Sequence, residues 1–202
     1  MANSHPKFAQ PDHPILDAIA HRWSPYAYDP RPVEGDKLLS CLEAARWAAS
    51  SYNEQPWTFL LAQRTDQAAF ATMLGCLLEA NQAWAQHAGV LLLTVTCQNF
   101  KLNNKPNRVC VHDIGLAAGN FVVQAAALGL QAHQMAGVDL EKVRQTYNIP
   151  AGYDPVTAIA LGYPLPASSI ADAKLSQMET SPRGRKPLSE IVLSTWGQPA
   201  KL

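Results

Sequence analysis

Residues 45–59 read ARWAASSYNEQPWTF, and the fold and site turn on this stretch. It opens as the end of a helix, with Leu38, Leu39, Leu42, Ala45 and Ala49 recurring at helical spacing. Helical periodicity then stops. Ser50, Ser51 and Asn53 are small polar residues that favour caps and turns over helix interiors. Pro56 biases Gln55 towards an extended backbone, and Trp57–Thr58–Phe59–Leu60–Leu61 reads as a short buried strand. A helix thus hands over to a strand through a loop crowded with hydroxyl and amide groups. Such a loop is either a well-capped connection or a place where a ligand with many polar edges binds.

A chain of 202 residues suits one domain with a substantial core. Residues 1–13 read as a flexible arm, and 14–202 as a single domain with an extended C-terminal segment. Acidic and basic residues cancel at 16 each, which gives no electrostatic reason to expect nucleic acid or an anionic membrane as partner. Any anion site must come from local positive clusters. Cys41, Cys76, Cys97 and Cys110 show neither CxxC nor zinc-finger spacing, so they read as reduced, mostly buried thiols. The polar N-terminus lacks an apolar signal region, and the longest apolar run, Ala88–Val95, is too short to cross a bilayer. A cytoplasmic location is the expectation.

Outward from the opening stretch, Pro14–Ile19 begins a helix that Pro25 stops. A second helix spans about Glu34–Ala49. Asp66–Ala80 reads as helix, and Asn81–Trp84 interrupts it or starts another. Gly89–Thr96 is the clearest strand, and Gln98–Arg108 is a polar loop. Val111–Leu130 is the longest helical pattern, apolar on several faces and closed by Gly129. It serves as the spine of the core, as a subunit interface, or both. Its small residues (Ala117, Ala118, Gly119, Ala125, Ala126) allow close backbone approach. His133–Val138 and Thr157–Pro164 read as strands, and Asp139 caps a short helix over Leu140–Tyr147. Helices alternating with strands across long connections suit an α+β arrangement with helices packed on a mixed sheet.

Common catalytic sets are absent: there is no GxSxG, HExxH, P-loop or GxGxxG. Gly115–Gly119 sits inside a helix, so it is no dinucleotide fingerprint. His112 and Asp113 are adjacent, and a helix points them to different faces. A chain without such groups either takes its chemistry from a cofactor or is not an enzyme. Arg22 with Ser24 lies at a helix end, and Arg183, Arg185 and Lys186 form the one dense basic run. Were the fold to gather Arg22, Ser24, Arg183 and Arg185, they would grip a phosphate through bidentate contacts. The alternative is four solvated surface groups.

Seven segments spread along the chain resemble the nitroreductase family of FMN-dependent oxidoreductases. Ser50–Ser51–x–Asn53–x–Gln55–Pro56–Trp57 resembles its signature loop, with Ala49 where a Pro is usual. Arg22–x–Ser24 resembles its N-terminal phosphate motif. Asn81 with Trp84, Asp113–x–Gly115, Met135–Asp139, Ala160–Pro164 and Arg183–x–Arg185–Lys186–Pro187–Leu188 match further family segments. The resemblance implies a mainly antiparallel central sheet flanked by helices, in an entwined homodimer with two FMN sites. Arg22, Trp23, Ser24, Asn81, Ala136, Gly137, Arg183 and Arg185 would come from one subunit, and Ser50, Ser51 and Asn53 from the other. Tyr26 stands where a third basic residue is common, Trp84 where a Lys near the flavin's pyrimidine edge is common, and Ala136 where an acid is frequent. Trp84 would weaken that edge's charge or supply a stacking wall. The implied activity carries electrons from NADH or NADPH, through FMN, to a nitroaromatic, quinone or similar flat acceptor. A flavin-storage protein and a metabolite-specific dehydrogenase or dehalogenase on the same scaffold are the alternatives. Gln98–Arg108 and Pro166–Gln177 are candidate covers for the open flavin face.

Overall fold

The computed structural model describes residues 5–201. Its centre is a four-stranded sheet: β1 (Trp57–Gln63), β2 (Val90–Cys97), β3 (Gln131–Met135) and β4 (Tyr153–Gly162), in the order β1-β2-β4-β3. Every neighbouring pair runs antiparallel. The mixed sheet expected from the long crossovers is therefore wholly antiparallel among the described residues.

The period-two alternation of β2 divides the core into two layers. Val90 and Leu92 face one side, against α2 (Gly35–Arg46) and α5 (Cys110–Ala127). Leu91 and Leu93 face the other, against α3 (Gln67–Leu74), α4 (Glu79–Ala85) and α6 (Leu140–Thr146). Strand β4 alternates likewise, with Ile159 and Leu161 on the first face and Ala158 and Ala160 on the second. Being buried on both faces, β2 is apolar almost throughout, as its sequence required.

Helix ends follow local chemistry. The Asp139 carboxylate accepts the Lys142 N–H at 3.0 Å and starts α6. Gly129, at φ +77°, supplies the left-handed residue just beyond α5. The helical pattern over Asp66–Ala80 is two helices, because Gly75–Leu78 leaves the helix so that Leu77 can bridge Val138. Strand β4 begins at Tyr153, earlier than the apolar run suggests. Pro155 fits because the ladder shifts register at Thr94/Val95, where its missing N–H is tolerated.

Two further helices are α1 (Asp17–His21), which packs by α5, and α7 (Ala173–Thr180), whose Glu179 reaches the turn that follows α1. The short α8 (Leu188–Ile191) and the hairpin β5–β6 (Leu193–Thr195, Gln198–Pro199) end the described chain. The arm expected to be flexible is docked from His5 onward: His5 stacks on Trp23 at 4.4 Å, Phe8 meets His21 at 4.3 Å, and the Ala9 N–H reaches the Ala20 carbonyl. Its apolar and aromatic side chains bury against the first turn, which the polar composition of the arm concealed. Residues 1–4 of that arm lie outside the described residues. All four cysteines are free, and burial pushes the Cys41 thiol up to about 11. No described helix is long and apolar enough to cross a membrane.

Phe121 is fully buried in α5 and stacks on Phe59 of β1. Phe121→Ala should cost about 3–5 kcal/mol, read as a lower midpoint in urea unfolding. A loss within experimental error would show that α5 is not the spine of the first layer.

Candidate functional site

Helix α1 ends at Arg22, whose backbone turns extended ahead of Pro25. Gln131, buried on β3, brackets this turn. Its carbonyl oxygen accepts the Trp23 N–H at 3.0 Å and its amide donates to the His21 carbonyl at 3.0 Å. From below, the buried Glu179 of α7 accepts the Trp23 indole N–H on one oxygen and the Tyr26 N–H on the other, the latter at 3.1 Å. The turn carrying Arg22 and Ser24 is thus pinned at three backbone or side-chain N–H groups.

Arg183 and Arg185 arrive at the same place from the far end of the chain. Arg183 donates to the Lys7 carbonyl at 2.5 Å and to the Ala20 carbonyl at 3.0 Å. Burial first, and then the charge of Arg185, hold the Arg22 pKa below its ordinary value. Arg183 is lowered by burial and by the charges of Arg22 and Arg185. The three guanidinium groups therefore share one field. Among the described residues no carboxylate makes an ion pair with any of them. The contact from Arg22 to the Ser24 hydroxyl is long, at 3.4 Å, so most of the Arg22 donor capacity is uncommitted. Arg185 is exposed and reaches only the Gly184 carbonyl. Gathered, desolvated cations without a counter-charge are suited to an anion with several oxygens.

Beside them lies an aromatic group. Trp84 of α4 is buried, stacks on His133 at 4.4 Å and meets the edge of Tyr26 at 5.4 Å. His133 and Tyr26 meet edge to face at 4.7 Å. Trp84 is enclosed by its neighbours and backs Tyr26 and His133, a position neither of its two expected roles described. His133 Nδ1 lies 2.9 Å from the Pro25 carbonyl, which can only accept, so Nδ1 carries the proton. Burial lowers the His133 pKa, the Pro25 hydrogen bond opposes that, and the nearby charge of Arg22 lowers it further.

On α4, Asn81 donates to the Gly137 carbonyl at 3.1 Å, and the Leu78 N–H meets the same oxygen at 3.0 Å. A Cβ at Gly137 would fall 2.4 Å from the Asn81 amide nitrogen. A side chain there would displace the Asn81 amide from its place. Ala136, beside it, is exposed.

Ser50, Ser51 and Asn53 form a separate group. One 3-10 turn spans Ser51–Asn53, and Tyr52, Asn53 and Gln55 have φ of 53°, 55° and 53°. Left-handed conformations at non-glycine residues cost of order 1 kcal/mol each. The loop is held by Ser50 Oγ, which accepts the Gln55 N–H at 3.0 Å, and by the buried Asp113, which accepts the Ser51 N–H at 3.0 Å. Further ties run to the 98–107 segment, with the Lys101 N–H on Glu54 at 2.9 Å and Tyr52 edge-on to Phe100 at 5.9 Å. Its contacts run to these partners and not to the arginine group. The thirteen site residues expected from the sequence therefore fall into three sets: seven in the arginine and aromatic groups, Asn81 with Ala136 and Gly137 where α4 meets the end of β3, and Ser50, Ser51 and Asn53 apart.

Glu179, Gln131, His133 and Asp113 each hold part of this arrangement, and the sequence did not mark the first three. Glu179 lies in a polar segment with no periodicity to single it out. His133 reads as an ordinary strand residue. Only an isolated histidine in an otherwise apolar and amide strand hinted at it.

The antiparallel sheet and its flanking helices thus carry an arginine group with no ion-pair partner among the described residues, and, apart from it, a strained hydroxyl–amide loop. The Nitroreductase family model matches residues 19–163, and the chain belongs to that family. The major NAD(P)H-flavin oxidoreductase of Aliivibrio fischeri is 26% identical, across 89% of this chain and 98% of its own. A solved structure described as an oxidoreductase containing FMN superposes with a TM-score of 0.87 at 30% identity, across 99% of this chain and 100% of its own. A nitroreductase family protein from Clostridium difficile 630 shares the fold, with a TM-score of 0.67 at 23% identity over 88% and 95% of the two chains.

The lowered His133 pKa has a sign that can be checked. As pH falls below the ordinary histidine value of 6.5, the unfolded chain takes up a proton that folded His133 resists, so folded stability drops. His133→Phe keeps a ring against Trp84 and removes that proton. The stability of the parent protein relative to His133→Phe should therefore shrink between about pH 7.5 and about pH 5.5, measured by chemical denaturation. A difference independent of pH would contradict the buried, neutral ring.

Proposed function

We propose that this chain is an FMN-dependent oxidoreductase that works as a homodimer with two flavin sites shared between subunits. Electrons come from NADH or NADPH and pass to a nitroaromatic, quinone or similar flat acceptor by a ping-pong route. The observation that carries this reading is the gathering of Arg22, Arg183 and Arg185 without a carboxylate partner. That donor set fits the phosphate of FMN, and the matched oxidoreductases are named for flavin, FMN and NAD(P)H.

Bound FMN would supply the chemistry, accepting a hydride at N5 and returning electrons to the acceptor. The chain supplies binding and orientation. Arg22 and Arg185, with Ser24, hold the phosphate. Arg183 gives its charge while its N–H groups fasten the Lys7 and Ala20 carbonyls. Asn81 and the Ala136–Gly137 backbone present amide groups to the ring edge. Trp23 and Tyr26 shape the wall, backed by Trp84. Ser50, Ser51 and Asn53 come from the partner subunit, which explains why one chain leaves them apart from the arginines. The 98–108 segment is the better candidate cover, because it is tied to that loop through Glu54 and Tyr52.

Helix α5 supports the dimer. Gly115 and Gly119 cost helix stability relative to Ala, yet an added Cβ at either would touch nothing within 4 Å in the single chain. A second copy approaching along this face accounts for them. Exposed Trp47, Val111 and Leu116 lie on α5 or at the end of α2. Of the small residues expected to serve an interface, Ala117, Ala118 and Ala125 are instead used in the chain's own core.

The purified protein should be yellow with a flavin spectrum and should bleach with NADH or NADPH under anaerobic conditions. A yellow protein that never bleaches would be a storage protein, and a colourless one that rejects FMN would overturn the reading. Arg185→Ala should weaken FMN binding by about 1–3 kcal/mol, measured by flavin fluorescence titration. Unchanged affinity would remove Arg185 from the phosphate site.

A further inference from the structure

We infer that Glu179 is the positioning residue that assembles the phosphate grip: it ties the Arg22–Tyr26 turn, the N-terminal arm and the Arg183–Arg185 segment into one unit. The inference rests on the reading of this site as a phosphate grip.

Glu179 is a carboxylate only 1% exposed, and no lysine or arginine pairs with it among the described residues. A buried acid without a cation is costly unless its oxygens are filled by donors. Here both are filled, one by the Trp23 indole and one by the Tyr26 N–H. Those two donors straddle Ser24, and Trp23 directly follows Arg22. The carboxylate therefore sets the shape of the turn at the positions that face the anion. His5 Nε2 lies 4.0 Å from the same oxygen that takes the indole, and the His5 ring stacks on the indole at 4.4 Å.

The contacts close into a ring. Glu179 grips the turn, and the turn's indole carries the arm through His5. The arm's Lys7 carbonyl takes an Arg183 N–H, and Arg183 lies four residues beyond Glu179 along the chain. Arg183 also donates to Ala20, at the foot of the same turn. Three segments far apart in sequence thus fix one another, and three like charges are kept together before any anion arrives.

Positioning and plain electrostatics predict opposite signs. Glu179 is an anion near an anion site, so if charge alone mattered, neutralising it would tighten phosphate binding. If Glu179 acts by holding the turn, neutralising it weakens binding. A Gln side chain keeps the volume and can still accept the indole N–H, but its NH2 group then confronts the Tyr26 N–H, donor against donor.

The test is fluorescence titration of the full-length protein with FMN and with riboflavin, which has the same ring and no phosphate. Glu179→Gln should lose FMN affinity on the order of ten- to a hundredfold and leave riboflavin affinity nearly unchanged, so that the FMN preference collapses. Equal losses for both ligands would mean a merely structural role, and tighter FMN binding would mean a charge effect; either overturns the inference. If Glu179→Gln does not fold, Trp23→Phe reads the same link, because it keeps an aromatic ring against His5 and removes the indole N–H together with the second ring. It should also shrink the FMN preference, and a preserved preference would overturn the inference. A parent protein that binds FMN no better than riboflavin would instead refute the phosphate grip itself.

Discussion

Three guanidinium groups cannot share a small volume for nothing. Arg22, Arg183 and Arg185 repel one another, and two of them are partly stripped of water as well. Packing and hydrogen bonds elsewhere must hold them. Gln131 braces the turn from the sheet, Glu179 from α7, and the carbonyls of Lys7 and Ala20 fasten Arg183. The repulsion that remains is what the proposed phosphate would relieve. Affinity would then come from charges already gathered, with little left to order on binding.

The second constraint sits on the other side of the sheet's edge. The Ser50–Gln55 loop keeps three left-handed residues, Tyr52, Asn53 and Gln55, against their intrinsic preference. Asp113 makes this possible, by accepting the Ser51 N–H from the first turns of α5. The same helix carries Gly115 and Gly119 on a face that its own chain leaves open. One helix therefore supports the loop that would reach a partner's flavin and also offers the surface on which the partner would lie. A shared site follows naturally when both duties fall on one rigid element.

What could be read from the sequence was local. Asp139 as a cap, Gly129 as a helix stop and the alternation of β2 are decided by neighbours a few residues away, and the structure has each of them. The family motifs pointed to the family because each is a short contiguous string, and the family model matches residues 19–163. What escaped was non-local. The bond between Trp23 and Glu179 spans 156 residues, and no spacing rule foretells it. The arm looked mobile because its polar composition hid His5 and Phe8, whose rings find Trp23 and His21 only after folding. Strand β4 reaches back past Pro155 to Tyr153 because β4 bulges at Val156, between the pairs Thr94–Thr157 and Val95–Pro155, and that pairing with β2 is not local. Trp84 could be located but not oriented, and its burial behind His133 came from the fold.

The central claim is a convergence: guanidinium groups of one subunit and the hydroxyl–amide loop of the other on a single flavin. A crystal structure of the protein with FMN bound tests it most directly. The account predicts the phosphate within hydrogen-bonding distance of Arg22 and Arg185, with Ser50, Ser51 or Asn53 of the second subunit on the same flavin. A phosphate held away from these arginines, or a flavin enclosed by one chain alone, would contradict it.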